Sequence, residues 1–306
     1  MKLHFAKLHG AGNDFVMIDD RDRSIDLSPD QVAFLCDRHF GIGADGVILV
    51  RPGETEGASA FMHYINADGT LAQMCGNGVR CTAKWAVDRG LVDSSASATV
   101  IDTLSGPKPI EFARDERGLM RAATVDMGAP ILEPSQVPTV LAATGATEDG
   151  RSFVGDVTLK SPFGNFRFTC VSMGNPHAVA FIEDWEALYD AAFTDPGNKS
   201  LATLDVDKVG AFFEPHAAFP EKANIEFVSI EADHLAMRVY ERGVAETLAC
   251  GTGACAVGVA AFITGRSGRV NDVRLLGGTL HIEYAEDGRV RMTGPAAQVF
   301  EGDIEL

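Results

Sequence analysis

The chain has 306 residues, room for two domains of ordinary size, and 46% of them are hydrophobic. Lys and Arg number 26 against 43 Asp and Glu, and the resulting net charge of −17 repels phosphate backbones and anionic membranes, which disfavours nucleic acid as a partner. Six cysteines are few for this length and predict reduced thiols rather than a disulfide framework.

In chain order, Met1-Lys2-Leu3-His4-Phe5 runs directly into an alternating pattern with no apolar signal segment, which predicts a cytoplasmic protein. The alternation from Lys2 to Leu8 predicts a strand ending at the glycine-rich turn of HGAGNDF, and Val47 to Val50 predicts another after Gly41-Ile42-Gly43. Behind Cys75-Gly76-Asn77-Gly78, residues Val79, Ala83 and Ala86/Val87 recur at helical spacing, with Arg80 and Lys84 on another face and Gly90 as the stop. This helix is expected to be partly exposed. Ser94 to Thr99 reads as a small-residue loop.

Gly128, Pro130, Pro134 and Pro138 interrupt any regular element, so a crossover is placed there, with one domain over 1–128 and a second over 129–293. Phe193 to Ala202 reads as a polar surface excursion. In LAMRVYERG, strand phase puts Leu235, Met237, Val239 and Glu241 on one face and Arg238, Tyr240 and Arg242 on the other.

Thr247 to Gly265 carries no charge over the length of a membrane span, but its glycines, alanines and threonines leave it only mildly hydrophobic. The stretch Ala254 to Ile263, behind Cys250-Gly251-Thr252-Gly253, therefore reads as a helix buried all round, and no membrane partner is expected. Asp287-Gly288 joins two strands as a hairpin, and Val299, Phe300 and Ile304 after Gly294-Pro295 add one strand more. Short strands seldom alternate with long helices here, so the class is α+β and not a doubly wound parallel sheet.

The chemistry concentrates in the tetrapeptide Cys-Gly-x-Gly, which occurs twice and opens a helix each time. Glycines without a Cβ let backbone N–H groups approach a ligand closely, and a helix start adds unpaired donors, so each turn is suited to an anion. The same partial positive charge is expected to draw a thiol from about 8.5 towards about 7.5, near the working pH of a general acid or base. Cys75 and Cys250 thus read as a matched acid/base pair, one per domain. Cys36, Cys81, Cys170 and Cys255 read as small buried side chains. No His or second Cys pair stands at zinc-finger spacing, so no metal is expected.

Other polar residues invite two readings. Asn13, Asn66, Asn175 and Asn224 sit beside glycine or proline turns, where Asn is common for conformational reasons, yet an amide suits both the carboxylate and the ammonium of one ligand. Glu241 ends an inward-pointing row nine residues before Cys250: it either closes a strand-end salt bridge or tunes the thiol. Arg242 is either a solvated cation or a fork for a carboxylate. His177, after Asn175-Pro176, and His9 have the most suggestive settings among eight histidines, though a lone histidine is commonly structural.

Taken together, HGAGNDF, YINADGTLAQMCGNGVRC, MGNPH, FPEKANIEF, VYERGVAETLACGTGAC and the terminal TGPA resemble the diaminopimelate epimerase family along the whole chain. The resemblance implies a cofactor-independent isomerase that interconverts LL- and meso-2,6-diaminopimelate, on the route to lysine and the peptidoglycan cross-link. It implies two pseudosymmetric domains, each a mixed β-sheet curled around a central helix, with residues 294–306 returning to the first domain, and a homodimer. Cys75 and Cys250 match the catalytic thiols; Asn13, Asn66, Asn175, Asn224, Glu241 and Arg242 match substrate-binding positions; His177 and Glu241 match supporting acid/base positions. The backbones of Gly76-Asn77 and Gly251-Thr252 match the donors to the reacting carboxylate. Three departures stand out: Gly46 where some members carry Gln, Ala245 where Gly is frequent, and a longer loop at 193–202.

Overall fold

The computed structural model describes residues 1–306, which divide into two compact units, Met1–Asp126 with Thr293–Leu306, and Met127–Met292. No helix is long and apolar enough to cross a membrane.

Unit one contains β1 (Lys2–Gly10), β2 (Asn13–Asp19), α1 (Pro29–Cys36), β3 (Gly46–Arg51), β4 (Ala58–Asn66), α2 (Gly76–Asp88), β5 (Ala98–Asp102), β6 (Lys108–Arg114) and β7 (Met120–Gly128). The tight β1–β2 turn puts both Ala11 (φ 52°) and Gly12 (φ 87°) in the left-handed region, which delivers Asn13 to the first position of β2. Strand β2 pairs antiparallel with β1 and parallel with β3, β3 is antiparallel to β4, β4 parallel to β5, and β5 antiparallel to β6. Helix α2 packs against β1 to β5.

Unit two contains β8 (Gly145–Ala146), β9 (Ser152–Phe153), β10 (Val157–Ser161), β11 (Gly164–Ser172), β12 (Pro176–Phe181), α3 (Val206–Phe213), β13 (Asn224–Ile230), β14 (Leu235–Glu241), β15 (Ala245–Thr247), α4 (Gly251–Ile263), β16 (Val270–Leu275), β17 (Gly278–Tyr284) and the first half of β18 (Val290–Pro295), whose residues from Thr293 on belong to unit one. Strands β11 to β17 repeat the earlier alternation: β11–β12 antiparallel, β12–β13 parallel, β13–β14 antiparallel, β14–β16 parallel, β16–β17 antiparallel. Helix α4 packs against β11, β12, β13, β16 and β17. Each helix that follows a Cys-Gly-x-Gly turn thus makes the crossover between a pair of parallel strands, and the two units are pseudosymmetric halves of an α+β fold. The last strand, β19 (Ala297–Glu305), pairs antiparallel with β1 in unit one.

Several sequence expectations need correction. Helix α2 is not partly exposed: Gly76 through Val87 are buried, including Arg80 at 0% exposure. The charges survive there because each is partnered. Arg80 donates to the Gly76 carbonyl and to Asn77 Oδ1, while Lys84 pairs with Asp88 at 2.7 Å and donates to the Met120 carbonyl. The small-residue stretch at 94–99 already enters β5 at Ala98. The 193–202 segment is the surface excursion expected, with Thr194 to Asn198 exposed, and is anchored at its start by Phe193, buried in the aromatic core of unit two. The structure adds two short helices to the elements expected: α1, where Ser28 and Gln31 close a reciprocal capping box, and α3, capped by Asp205.

Two departures from the family pattern acquire physical content. A Cβ on Gly46 would lie 2.4 Å from the Tyr64 ring, so Tyr64 fills the space that a longer side chain at position 46 would need. Ala245 sits at φ 87°, a left-handed conformation that penalises any residue with a Cβ. Ala245→Gly is therefore expected to raise stability by about 0.5–1 kcal/mol, the relief of strain outweighing the added chain entropy. Chemical denaturation of the two proteins measures it.

Candidate functional site

In each unit the thiol is the N-cap of a buried helix. Cys75 has extended backbone angles and its Sγ accepts the Gly78 N–H at 3.4 Å; Cys250 does the same with Gly253 at 3.3 Å. The N–H groups of Gly76 and Asn77, and of Gly251 and Thr252, lie at the positions that a helix start leaves open. The second glycine of each motif is closely packed: a Cβ on Gly78 would press on Ile48 and Met62 at 3.2 Å, and one on Gly253 would lie 2.8 Å from Glu226 Oε1.

An asparagine from the neighbouring strand meets each turn. Asn77 donates to Asn13 Oδ1 at 3.0 Å, with Cys75 Sγ 3.7 Å from the same oxygen. Asn13 in turn donates to Asp45 at 2.7 Å, and Arg38 ties Asp45 to Asp14. Although burial opposes it, the hydrogen bonds of Arg38 and Lys7 hold the Asp14 carboxyl at about 2. In unit two, Asn175 donates to Thr252 Oγ1 at 3.3 Å, and that hydroxyl lies 3.5 Å from Cys250 Sγ.

The surroundings of the two thiols differ in charge. The first turn of α2 rests on the buried Arg80 guanidinium, 2.8 Å from Asn77 Oδ1. Cys250 is buried against two carboxylates: burial first, then the charges of Glu241 and Glu226, push its thiol well above the ordinary range. This overturns the expectation that a helix N-terminus brings both thiols down towards neutrality, because desolvating a thiolate costs more than a helix dipole returns. Glu241 is itself pushed up, by burial, and accepts hydrogen bonds from Thr247 and from the Cys250 thiol. The other four cysteines are buried, and burial pushes Cys36 up to about 11 and Cys81 and Cys170 up to about 12.

His177 is fully buried, with Nδ1 2.6 Å from Glu226 Oε1 and Nε2 3.1 Å from Asn175 Oδ1. The only signal of Glu226 in the sequence is that it is the one charged residue of its strand, NIEFVSI. Asn224 donates to the Pro176 carbonyl at 3.0 Å and accepts the Arg242 N–H at 2.9 Å, which leaves one amide hydrogen for a ligand. The Arg242 guanidinium is exposed and bonds the Glu221 carbonyl. Asn66 donates to Thr70 Oγ1 at 3.0 Å. His9 accepts the Gly12 N–H at 3.2 Å, a turn-stabilising role. No cluster of three or more His, Cys, Asp or Glu is arranged to hold a metal ion.

Known proteins share this pattern. The sequence profile of the diaminopimelate epimerase family matches residues 5–133 and 169–299. The chain is 42% identical to the diaminopimelate epimerase of Leptospira biflexa, with all of both chains aligned, and 41% identical to that of Methanococcus maripaludis, covering 99% of this chain and 100% of the relative. Among solved structures, a PhzF-family phenazine biosynthesis protein of Bacillus anthracis superimposes with a TM-score of 0.65 at 15% identity over 100% of both chains. A hydroxyproline epimerase of Agrobacterium vitis gives 0.65 at 14% identity over 99% of this chain and 91% of that one, a likeness that speaks to the fold. A profile match over both halves, each carrying a capped thiol, together with full-length similarity to its members, makes this chain a member of the diaminopimelate epimerase family of isomerases.

Proposed function

We propose that this protein converts LL-2,6-diaminopimelate to the meso form without a cofactor, in the cytoplasm, supplying lysine and peptidoglycan precursor synthesis. One observation carries the reading: each unit seats one thiol as the cap of a buried helix, followed by two glycines that flank Asn77 in one unit and Thr252 in the other. Two thiols answer a stereochemical need, because inversion requires a proton to leave one face of the α-carbon while another arrives at the opposite face. A single base would return its proton to the face it came from.

In this reading one cysteine, as thiolate, takes the α-proton, and the other, as thiol, delivers one; the reverse reaction exchanges the roles. Glu241, which already accepts the Cys250 hydrogen bond, relieves that buried thiol of its proton when Cys250 must act as base. His177 supports the same thiol from behind Asn175. The carbanion has no pyridoxal ring to spread its charge, so stabilisation falls to donors held in place before the reaction: the N–H groups of Gly76, Asn77, Gly251 and Thr252 directed at the α-carboxylate. Each such donor contributes roughly 3 kcal/mol in comparable oxyanion sites. Asn13, Asn66, Asn175, Asn224, Glu241 and Arg242 bind the substrate's polar groups, the exposed guanidinium being suited to a distal carboxylate.

Replacing either Cys75 or Cys250 by Ala is expected to lower turnover of LL-diaminopimelate by at least about 100-fold while circular dichroism stays native. Near-normal turnover in either variant refutes the pairing. In heavy water, early label is expected in the product and not in recovered substrate; equal labelling of both contradicts two-base transfer. Iodoacetamide at neutral pH should modify the half-buried Cys75 before the buried Cys250, whose reactivity should rise only as pH climbs through its elevated pKa. Peptide mass spectrometry against pH reads the order.

A further inference from the structure

The strand registers align the two units residue by residue. Phe15 stands opposite Gly46 across β2–β3, and His177 opposite Asn224 across β12–β13. Counting along these strands, Asn13 corresponds to Asn175, Phe15 to His177 and Ile48 to Glu226; counting from the thiols, Asn77 corresponds to Thr252 and Arg80 to Cys255. The space beneath the turn confirms the match, since a Cβ on Gly78 would meet Ile48 where one on Gly253 would meet Glu226. Unit one thus fills this place with an apolar pair, and unit two with a buried His and Glu at 0% side-chain exposure.

Stability does not account for that difference. A buried ion pair is often no better for stability than an apolar pair of similar size, and unit one shows that the fold accepts the apolar version. Glu226 is also incompletely used: Oε2 is buried and has no hydrogen-bond partner, a costly condition for a carboxylate oxygen. Its other oxygen begins an unbroken chain of contacts, through His177 at 2.6 Å, Asn175 at 3.1 Å and Thr252 at 3.3 Å, to Cys250 Sγ at 3.5 Å. Two oxygens face the two ring nitrogens of His177, so the tautomer of the ring and the orientation of the Asn175 amide are matched to one another. The Glu226–His177 contact is thereby linked to the end of Asn175 that meets Thr252, and through Thr252 to the thiol.

We propose that Glu226 is a positioning residue for Cys250, acting through His177, Asn175 and Thr252 in a buried chain; at Cys75 the corresponding asparagine, Asn13, is instead held by the exposed Asp45. The proposal rests on the epimerase reading for its effect on turnover, but not for its effect on the thiol. The titratable groups facing Cys250 are Glu226 on β13 and Glu241 on β14, with His177 on β12 behind Asn175.

The test uses the full chain, with Glu226→Gln and the double variant His177→Phe/Glu226→Ile, which copies the Phe15/Ile48 pair of unit one. Both are expected to unfold cooperatively, and the Gln variant decides the matter if the double variant does not fold. Turnover should fall at least about tenfold in the Gln variant with KM within about threefold, and at least about 100-fold in the double variant. In a Cys75→Ala background, the pH midpoint of Cys250 alkylation should drop by at least about half a unit once the carboxylate facing the thiol is gone. Turnover within about threefold of the parent, or a fall in turnover with the midpoint unmoved, overturns the proposal. The midpoint needs no substrate, so it judges Glu226 even if the parent enzyme proves inactive on LL-diaminopimelate, an outcome that would sink only the epimerase reading.

Discussion

The closeness of two helix starts to the sheets beneath them governs the rest of this molecule. At Gly78 and Gly253 the backbone lies so near the strands that a single added carbon would meet Ile48 or Glu226. That approach buries the first turn, and burial is what makes its open N–H groups effective: in a site shielded from water a fixed donor stabilises developing negative charge far more than in solvent. The same approach makes the thiol the natural cap. Its sulfur takes up one of the donors that the helix would otherwise leave unpaired, so a single residue serves both the local structure and the proposed chemistry.

Burial then imposes a cost that the two units meet differently. Around Cys75 the buried charge is a cation, Arg80, satisfied by the Gly76 carbonyl and the Asn77 amide. Around Cys250 it is anionic, with Glu241 in hydrogen-bond contact and Glu226 behind. A cation favours a neighbouring thiolate and a carboxylate favours a thiol. The two half-sites therefore share a skeleton of turn, asparagine and helix, while their electrostatic backgrounds are opposed.

Much of this architecture was readable in the residue pattern. The uncharged run after Cys250, the glycines at 90 and 265, and the Asp287-Gly288 hairpin each rest on a local rule, and each element formed where that rule places it. Local rules failed where a residue's setting depends on distant chain. Arg80 and Lys84 break the apolar spacing of α2 and read as a solvent face, but Pro295 and Met120 supply carbonyls that let them stay inside. Glu226 showed only as a charge within a largely apolar strand, with nothing to name its partner His177, which lies 49 residues away across a parallel strand pair.

By itself the sequence determined which groups have chemistry to offer: two thiols, their glycine turns and the asparagines beside them. These are written as contiguous motifs, because a helix cap and a tight turn are set by a few adjacent residues. Only the tertiary structure decided how each group behaves. The protonation preference of Cys250 depends on desolvation and on carboxylates from two other strands, and the pairing of His177 with Glu226 depends on strand register, quantities that arise when segments far apart in the chain are brought together.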